Sequence, residues 1–183
     1  MQLAQTTLES IFVSKVRVKS LAYFVMNPSK EIHLRGAVRE FSEEINAVRR
    51  EFTRLEEAKL IVMETKGNRT YYKLNIYHPF VPELIGIFHK AFGLGGAFME
   101  SLKKIGDVEF ALLTPSYTRG VPFSSQQIDF VVIGNIDLNI LGEIVKRTEF
   151  ENSREIHYMV MKSNEFILRK RRREQIILDL LLQ

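Results

Sequence analysis

The sequence predicts an α+β protein in which an N-terminal and a C-terminal part follow different designs. In residues 8–58, apolar positions recur at three- and four-residue steps, which indicates amphipathic helices. Residues 60–75 contain two β-favouring runs around a Gly-Asn pair, and this pattern predicts a hairpin. After about residue 105, strand-like and helix-like segments alternate, an order typical of a small α/β unit.

The first part is predicted to contain three helices, each with one apolar face that can pack on a core. The first helix ends at Asn27, because Pro28 disfavours a helical conformation of the residue before it. The third helix begins near Asn46, since asparagine is a common N-cap residue. The predicted helices span residues 8–26, 30–41 and 46–58, with a tight turn at 42–45.

The third helix and the hairpin carry polar and basic residues between their apolar positions, so these side chains must point away from the core. Gly67-Asn68 supplies the turn of the hairpin. A helix with outward arginines followed by a basic hairpin is the reading unit of a winged helix-turn-helix, in which the helix enters the DNA major groove. The residues predicted to contact DNA are Asn46, Arg49, Arg50, Thr53, Arg54, Lys66, Asn68, Arg69 and Lys73.

Composition and charge agree with this prediction. Residues 11–77 carry 13 Lys/Arg against 8 Asp/Glu, whereas residues 78–162 carry 8 against 10, so the positive excess lies on the predicted DNA-binding unit. The chain has no Cys, and its four His lack metal-ligand spacing, so we expect no metal site and no cofactor. Without a signal-peptide pattern or an apolar run of transmembrane length, the sequence predicts a cytoplasmic protein with no membrane partner.

The sequence divides into a DNA-binding domain at 8–77, a linker at 78–105 and a second domain at 106–183. Two prolines within residues 77–82 mark the first boundary. The linker is one long helix, or two helices broken at Gly93–Gly96. Its apolar face is interpreted either as the seam of a homodimer or as a surface that packs on the second domain. This face comprises Leu84, Ile87, Phe88, Ala91 and Phe92.

The second domain is predicted to be a small α/β unit with a mixed sheet. Its predicted strands span residues 107–114, 128–134 and 154–161, and its predicted helices span 137–147 and 163–182. The last helix contains a basic run at residues 169–173. This run is interpreted either as the solvated face of the helix or as a contact with the DNA backbone.

The chain resembles a known two-domain family over about residues 12–166. Residues 45–75, INAVRREFTRLEEAKLIVMETKGNRTYYKLN, are similar to the recognition helix and wing of an ArsR-like winged helix-turn-helix. Residues 110–120, FALLTPSYTRG, and residues 125–134, SQQIDFVVIG, look like parts of a minimal nucleotidyltransferase domain of the DNA-polymerase-beta type. In that family a strand ends in Gly-Ser before a helix that carries Arg-Gly, and a second strand carries Asp-x-Asp.

The second domain departs from the family pattern where phosphate and metal would bind. The glycine of the family motif is Pro115 here, and proline has no N–H to offer a triphosphate. The first aspartate of Asp-x-Asp is Gln127, so one magnesium-binding carboxylate is lost. Glu155 and His157 are the nearest candidates for the third carboxylate, and neither matches the pattern. The resemblance therefore implies a domain that keeps the fold and has no catalytic residue.

The resemblance still implies a vestigial site for a nucleotide or phosphate, because unpaired N–H groups near the start of a helix favour negative charge. The residues of this site are Ser116, Arg119, Gly120 and Asp129. The whole sequence predicts a sequence-specific regulator of transcription that binds double-stranded DNA as a homodimer, with the second domain as scaffold or sensor. One alternative is an active nucleotidyltransferase tethered to DNA, which modifies a protein or small molecule. Another is an interaction module of toxin–antitoxin type.

Overall fold

The computed structural model describes residues 3–119, 128–152 and 154–181, and it shows an α+β protein. The α+β prediction is therefore confirmed. The chain divides into two compact units, residues 1–92 and 93–183. This boundary falls inside the predicted linker, so the linker residues are shared between the two units. Among the described residues, no helix is both long enough and apolar enough to cross a bilayer.

The N-terminal unit combines helices with a small antiparallel sheet. Its elements are α1 (Leu3–Phe12), α2 (Lys15–Met26), β1 (Glu31–His33), α3 (Leu34–Phe41), α4 (Ile45–Glu57), β2 (Ile61–Lys66), β3 (Arg69–Leu74) and α5 (Val81–Ala91). The sheet order is β1-β3-β2, and both strand pairs are antiparallel. From α2 to β3 the chain runs through a helix, a short strand, two helices and a hairpin.

The first two predicted helices differ from the observed ones. The helix predicted at residues 8–26 is broken, because Val13 adopts a left-handed φ of 61° and Ser14 caps α2 by accepting the N–H of Arg17 at 3.3 Å. The helix predicted from residue 30 begins later, because Glu31–His33 pairs with β3. The partner strand lies about forty positions further along the chain, so local periodicity could not reveal this pairing.

Helix α4 and the hairpin lie within one or two residues of their predicted positions. The N-cap of α4 is Glu44, so the prediction of Asn46 as the cap is wrong. The Glu44 carboxylate accepts the N–H groups of Asn46 and Ala47 at 2.8 and 2.9 Å. Hydrogen bonding to the Asn46 N–H is the main cause that lowers the pKa of Glu44. On the inner side, Phe52 contacts Phe24 and Tyr72, with ring centroids 5.4 and 4.8 Å apart.

Helix α5 belongs to the core of the N-terminal unit. Phe88 and Ala91 are buried in that core, and the Phe88 ring lies 5.9 Å from the ring of Phe12. Leu84 and Phe92 pack half-buried against the same core, while Ile87 is 42% exposed. The prediction that this apolar face forms a dimer seam or packs on the second domain is therefore wrong for Phe88 and Ala91, which the helices before the hairpin bury. It stays a prediction for the partly exposed Leu84, Ile87 and Phe92.

The C-terminal unit is a three-stranded sheet with helices packed on both faces. Its elements are α6 (Gly93–Ser101), β4 (Gly106–Leu113), α7 (Pro115–Arg119), β5 (Phe130–Ile136), α8 (Leu138–Asn152), β6 (Tyr158–Met161), α9 (Ser163–Arg171) and α10 (Gln175–Leu181). Strand β5 lies between an antiparallel β4 and a parallel β6, which confirms the mixed sheet. Its side chains alternate between a cluster with α6 and α8 and a cluster with α10.

The linker follows the second of its two predicted alternatives, and the predicted final helix is split. The linker residues form α5 and α6, and the break at Phe92 precedes the predicted glycine segment. The final helix predicted at 163–182 is α9 and α10, because Arg173 adopts a left-handed φ of 51° between them. The basic run therefore covers the end of α9 and the turn after it, where Lys170 to Arg173 are exposed.

Candidate nucleic-acid interface

The outward face of α4 presents the helix residues predicted to contact DNA. All five of them are exposed, whereas the apolar residues between them are buried in the core. The guanidinium of Arg49 donates a hydrogen bond to Oδ1 of Asn46 at 2.8 Å, so these two side chains are held together on the first turn. The exposed residues are Asn46, Arg49, Arg50, Thr53 and Arg54.

The inner side of α4 contains one buried charge, Glu51, which is 2% exposed. Arg17 of α2 donates to both of its carboxylate oxygens, at 2.7 and 3.3 Å. This hydrogen bond is the main cause that raises the pKa of Arg17. The Arg54 guanidinium lies 3.7 Å from the same carboxylate. The two-point contact with Arg17 anchors α4 to α2 and sets which side of α4 faces outward.

The wing lysines each have an acidic partner, and their contact with phosphates stays a prediction. Lys66 lies 2.7 Å from Glu31 and 3.8 Å from Glu64, and the hydrogen bond to Glu31 is the main cause that raises the pKa of Lys66. Lys73 lies 3.5 Å from Glu64. Glu31 is 35 residues from Lys66, and for this reason the sequence pattern did not reveal the pair. Arg69 and Asn68 at the hairpin turn are exposed.

A cleft of about 680 Å³ lies between α3, the first turns of α4 and the hairpin. Four arginines line it and no acidic residue does. Two of them, Arg35 and Arg39, lie on α3 and were not predicted as contact residues. Their spacing of four residues on an amphipathic helix is a signal that could have found them. The lining residues are His33, Leu34, Arg35, Arg39, Ile45, Arg49, Asn68, Arg69, Thr70 and Tyr72.

In the C-terminal unit, the buried Asp129 carboxylate is enclosed by donors. Its oxygens accept from Ser116 Oγ at 3.1 Å, from Arg154 Nη2 at 2.8 Å and from the His157 N–H at 3.0 Å. Arg154 also donates to the backbone carbonyls of Ser116 and Tyr117 and lies 4.9 Å from the Tyr117 ring centroid. Burial is the main cause that raises the pKa of Tyr117. Asp129 is therefore neutralised by an arginine.

Of the predicted vestigial site, the structure brings Ser116 and Asp129 into contact. Gly120 and the side chain of Arg119 lie outside the described residues, as does Gln127. The side chain of Glu155 is 82% exposed, and its carboxylate lies 3.9 Å from the His157 ring. Among the described residues, no three His, Asp or Glu side chains cluster closely enough to hold a metal ion. Arg154, which sequence reasoning missed, is the main partner of Asp129.

No family model matches the chain, and no curated protein matches it. A solved structure, human N-acetylserotonin methyltransferase in complex with SAM, matches over 66% of this chain with 13% sequence identity and a TM-score of 0.33. The chain spans 37% of the length of that protein. At this TM-score the likeness assigns neither a fold nor a function. The structure itself shows an α+β protein, with one unit of helices and a small antiparallel sheet and a second unit built on a mixed sheet.

Proposed function

We propose that this protein is a sequence-specific regulator of transcription that binds double-stranded DNA through its N-terminal unit. The observation that carries the proposal is the polar outward face of α4, which continues into a cleft lined by arginines beside the hairpin. A helix of this kind fits the major groove, and an adjacent hairpin can lie along the sugar-phosphate backbone. The basic excess of residues 11–77 agrees with this role.

Base recognition is assigned to Arg49 and Arg50, which extend from the first half of α4 and are exposed. An arginine that makes a bidentate contact with guanine contributes about 1–3 kcal/mol of discrimination. Thr53 and Asn46 extend the same face and can each donate or accept a hydrogen bond. The Arg54 guanidinium also pairs with the Glu51 carboxylate, so we expect Arg54 to contribute less to DNA binding.

The C-terminal unit is proposed to be a scaffold or sensor without nucleotidyl transfer activity. Phosphoryl transfer depends on carboxylates that hold metal ions, and the buried Asp129 already pairs with Arg154. The protein is proposed to act as a homodimer, since two symmetric copies of α4 would read two half-sites about one helical turn of DNA apart. A protein with this role is located in the same compartment as the DNA, which we expect to be the cytoplasm.

Selection of bound sequences from random duplex DNA, with the purified full chain, tests this function. We expect a recurring site with two half-sites. Replacing Arg49 and Arg50 by alanine should abolish the sequence preference and keep the fold, because both side chains are exposed and alanine favours helix. The matched control replaces the exposed Lys103 and Lys104 by alanine, which removes the same charge elsewhere. The proposal fails if no sequence is enriched, or if the arginine variant selects the same site as the control.

A further inference from the structure

Two groups of cations in the N-terminal unit differ in their surroundings. One group forms ion pairs, and its members are Arg17, Lys19, Arg54, Lys66 and Lys73. The other group lines the cleft between α3, α4 and the hairpin, and its members are Arg35, Arg39, Arg49 and Arg69. Within the described part of the chain, no carboxylate lies within ion-pair distance of any arginine in the second group. Among the described residues, some other cations of this unit also lack an ion pair, but they lie outside the cleft, which gathers four unpaired arginines and no acidic residue. These other cations are Lys15, Lys30, Arg50, Lys59 and Lys90.

The cleft arginines come from three separate elements that only the fold brings together. Arg35 and Arg39 lie on α3, Arg49 on α4 and Arg69 at the start of β3. The other polar lining groups favour an anion as well. Asn68 and Thr70 can donate hydrogen bonds, and His33 already uses its Nδ1 to accept the N–H of Gly36 at 2.9 Å. Four like charges around one cavity repel each other, so an occupant with several negative charges would relieve that repulsion.

The spacing of the arginines favours an extended anion. Arg35 and Arg39 are four residues apart on a helix, which separates them by about 6 Å along its axis. One DNA strand carries a phosphate about every 3.4 Å of duplex axis, so the two arginines can reach different phosphates of one strand. Arg49 belongs both to the cleft and to the outward face of α4. An occupant of the cleft is thus continuous with whatever α4 contacts.

We propose that this cleft binds the sugar-phosphate backbone of one DNA strand, with Arg35, Arg39 and Arg69 as the phosphate contacts. This inference rests on the proposed function, and it adds two residues of α3 to the interface. It also transfers the phosphate-binding role away from Lys66 and Lys73, whose charges are already matched by Glu31 and Glu64. Arginine suits the role, because its planar fork of donors can hold a phosphate through two hydrogen bonds.

The test measures affinity for a duplex of arbitrary sequence, and for any selected site, by fluorescence anisotropy. The salt concentration is raised from about 50 to about 300 mM, which shortens the Debye length from about 14 to about 6 Å. Replacing Arg35 and Arg39 together by alanine should weaken binding to all sequences alike. It should also reduce the slope of log affinity against log salt by about two units, since each lost phosphate contact accounts for about 0.9. Circular dichroism checks the fold, which exposed alanines on α3 should preserve.

The matched control replaces Lys66 and Lys73 by glutamine, which removes the same charge from the ion-paired group. We expect its salt slope to change by less than one unit. If the lysine variant loses two units and the arginine variant less than one, the phosphate contacts lie on the wing and the inference is overturned.

The failure of this inference differs from the failure of the proposed function. If a DNA site is enriched but the arginine variant keeps the wild-type salt slope, the cleft is not the phosphate-binding surface, and the proposed regulatory function stands. Duplex binding that loses slope in the arginine variant, without any enriched sequence, supports the cleft and rejects the sequence-specific regulator. Electrostatic contacts with DNA are strong at about 50 mM salt. If the wild-type chain binds no duplex at about this concentration, both the cleft and the regulator are rejected.

Discussion

Removal of the Glu51 carboxylate should destabilise the N-terminal unit and loosen α4. Glu51 is 2% exposed and holds Arg17 through two hydrogen bonds, while the Arg17 side chain is 33% exposed. Breaking a buried ion pair costs about 3–5 kcal/mol, because one charge is left without its partner. Since Arg17 can regain water, we expect Glu51→Ala to cost about 2–3 kcal/mol of unfolding free energy. Glu51→Gln keeps one acceptor and should cost about 1–2 kcal/mol.

A double variant separates the charge from the packing. Arg17→Met with Glu51→Leu replaces the ion pair by two apolar side chains of similar reach. Such replacements are often neutral or stabilising, so we expect the double variant to lie within about 1 kcal/mol of the wild type. The two single changes should therefore be strongly non-additive, with a coupling free energy above about 1 kcal/mol.

The assay is urea unfolding of the full chain, combined with hydrogen exchange of the α4 amides by mass spectrometry. The exchange measurement assigns the loss to the N-terminal unit, since a chain with two units need not unfold in one step. Glu57→Ala is the matched control, because Glu57 is an exposed carboxylate on the same helix. If Glu51→Ala and Glu57→Ala lie within about 0.5 kcal/mol of each other, the buried pair does not anchor α4 and the reasoning is refuted.

Three further predictions concern other parts of the fold. Arg154→Ala should lower the stability of the C-terminal unit by about 2 kcal/mol in thermal unfolding, because Asp129 stays buried without its cation; Arg154→Lys should retain part of this. Gly134→Ala should impair folding, because the added Cβ would lie 2.1 Å from the Asp107 carbonyl oxygen and Gly134 has a φ of 146°. Gly142 on α8 has open space around it, so Gly142→Ala should raise the free energy of unfolding by about 0.5–1 kcal/mol. Because the pKa of Glu44 is lowered in the folded state, its contribution to stability is present above the unfolded pKa near 4.5 and is lost as the pH falls through the folded pKa. Glu44→Gln should therefore flatten the acid-induced loss of α4 helicity, and a variant with the same pH profile as the wild type would contradict this.

Short-range patterns predicted α4 and the hairpin closely. Val48, Phe52 and Leu55 are three or four residues apart, and this spacing alone identifies the inner face of a helix. Gly67 supplies the hairpin turn with a positive φ of 58°. The outward residues of α4 follow from the same spacing, because a residue between buried positions must face solvent. The alternation of strands and helices after residue 105 likewise predicted the mixed sheet.

The contacts that sequence reasoning missed join residues far apart in the chain. Strand β1 exists because β3 pairs with it, and three residues carry no periodic pattern of their own. The apolar face of α5 is buried by helices that lie more than fifty residues earlier, so the same pattern that suggested a dimer seam belongs to an internal core. No local signal separates these two outcomes, because both require an apolar stripe.

The sequence by itself therefore determined the α+β class, the helix with its hairpin, and the positions of the cations. Only the tertiary structure decided which of those cations are neutralised. Lys66 meets Glu31, and Asp129 meets Arg154, across 35 and 25 residues of chain. The arginines of α3 and the hairpin instead converge on one cleft without an acidic partner. Charge pairing acts over a few ångströms in space, and the fold, rather than the order of residues, sets those distances.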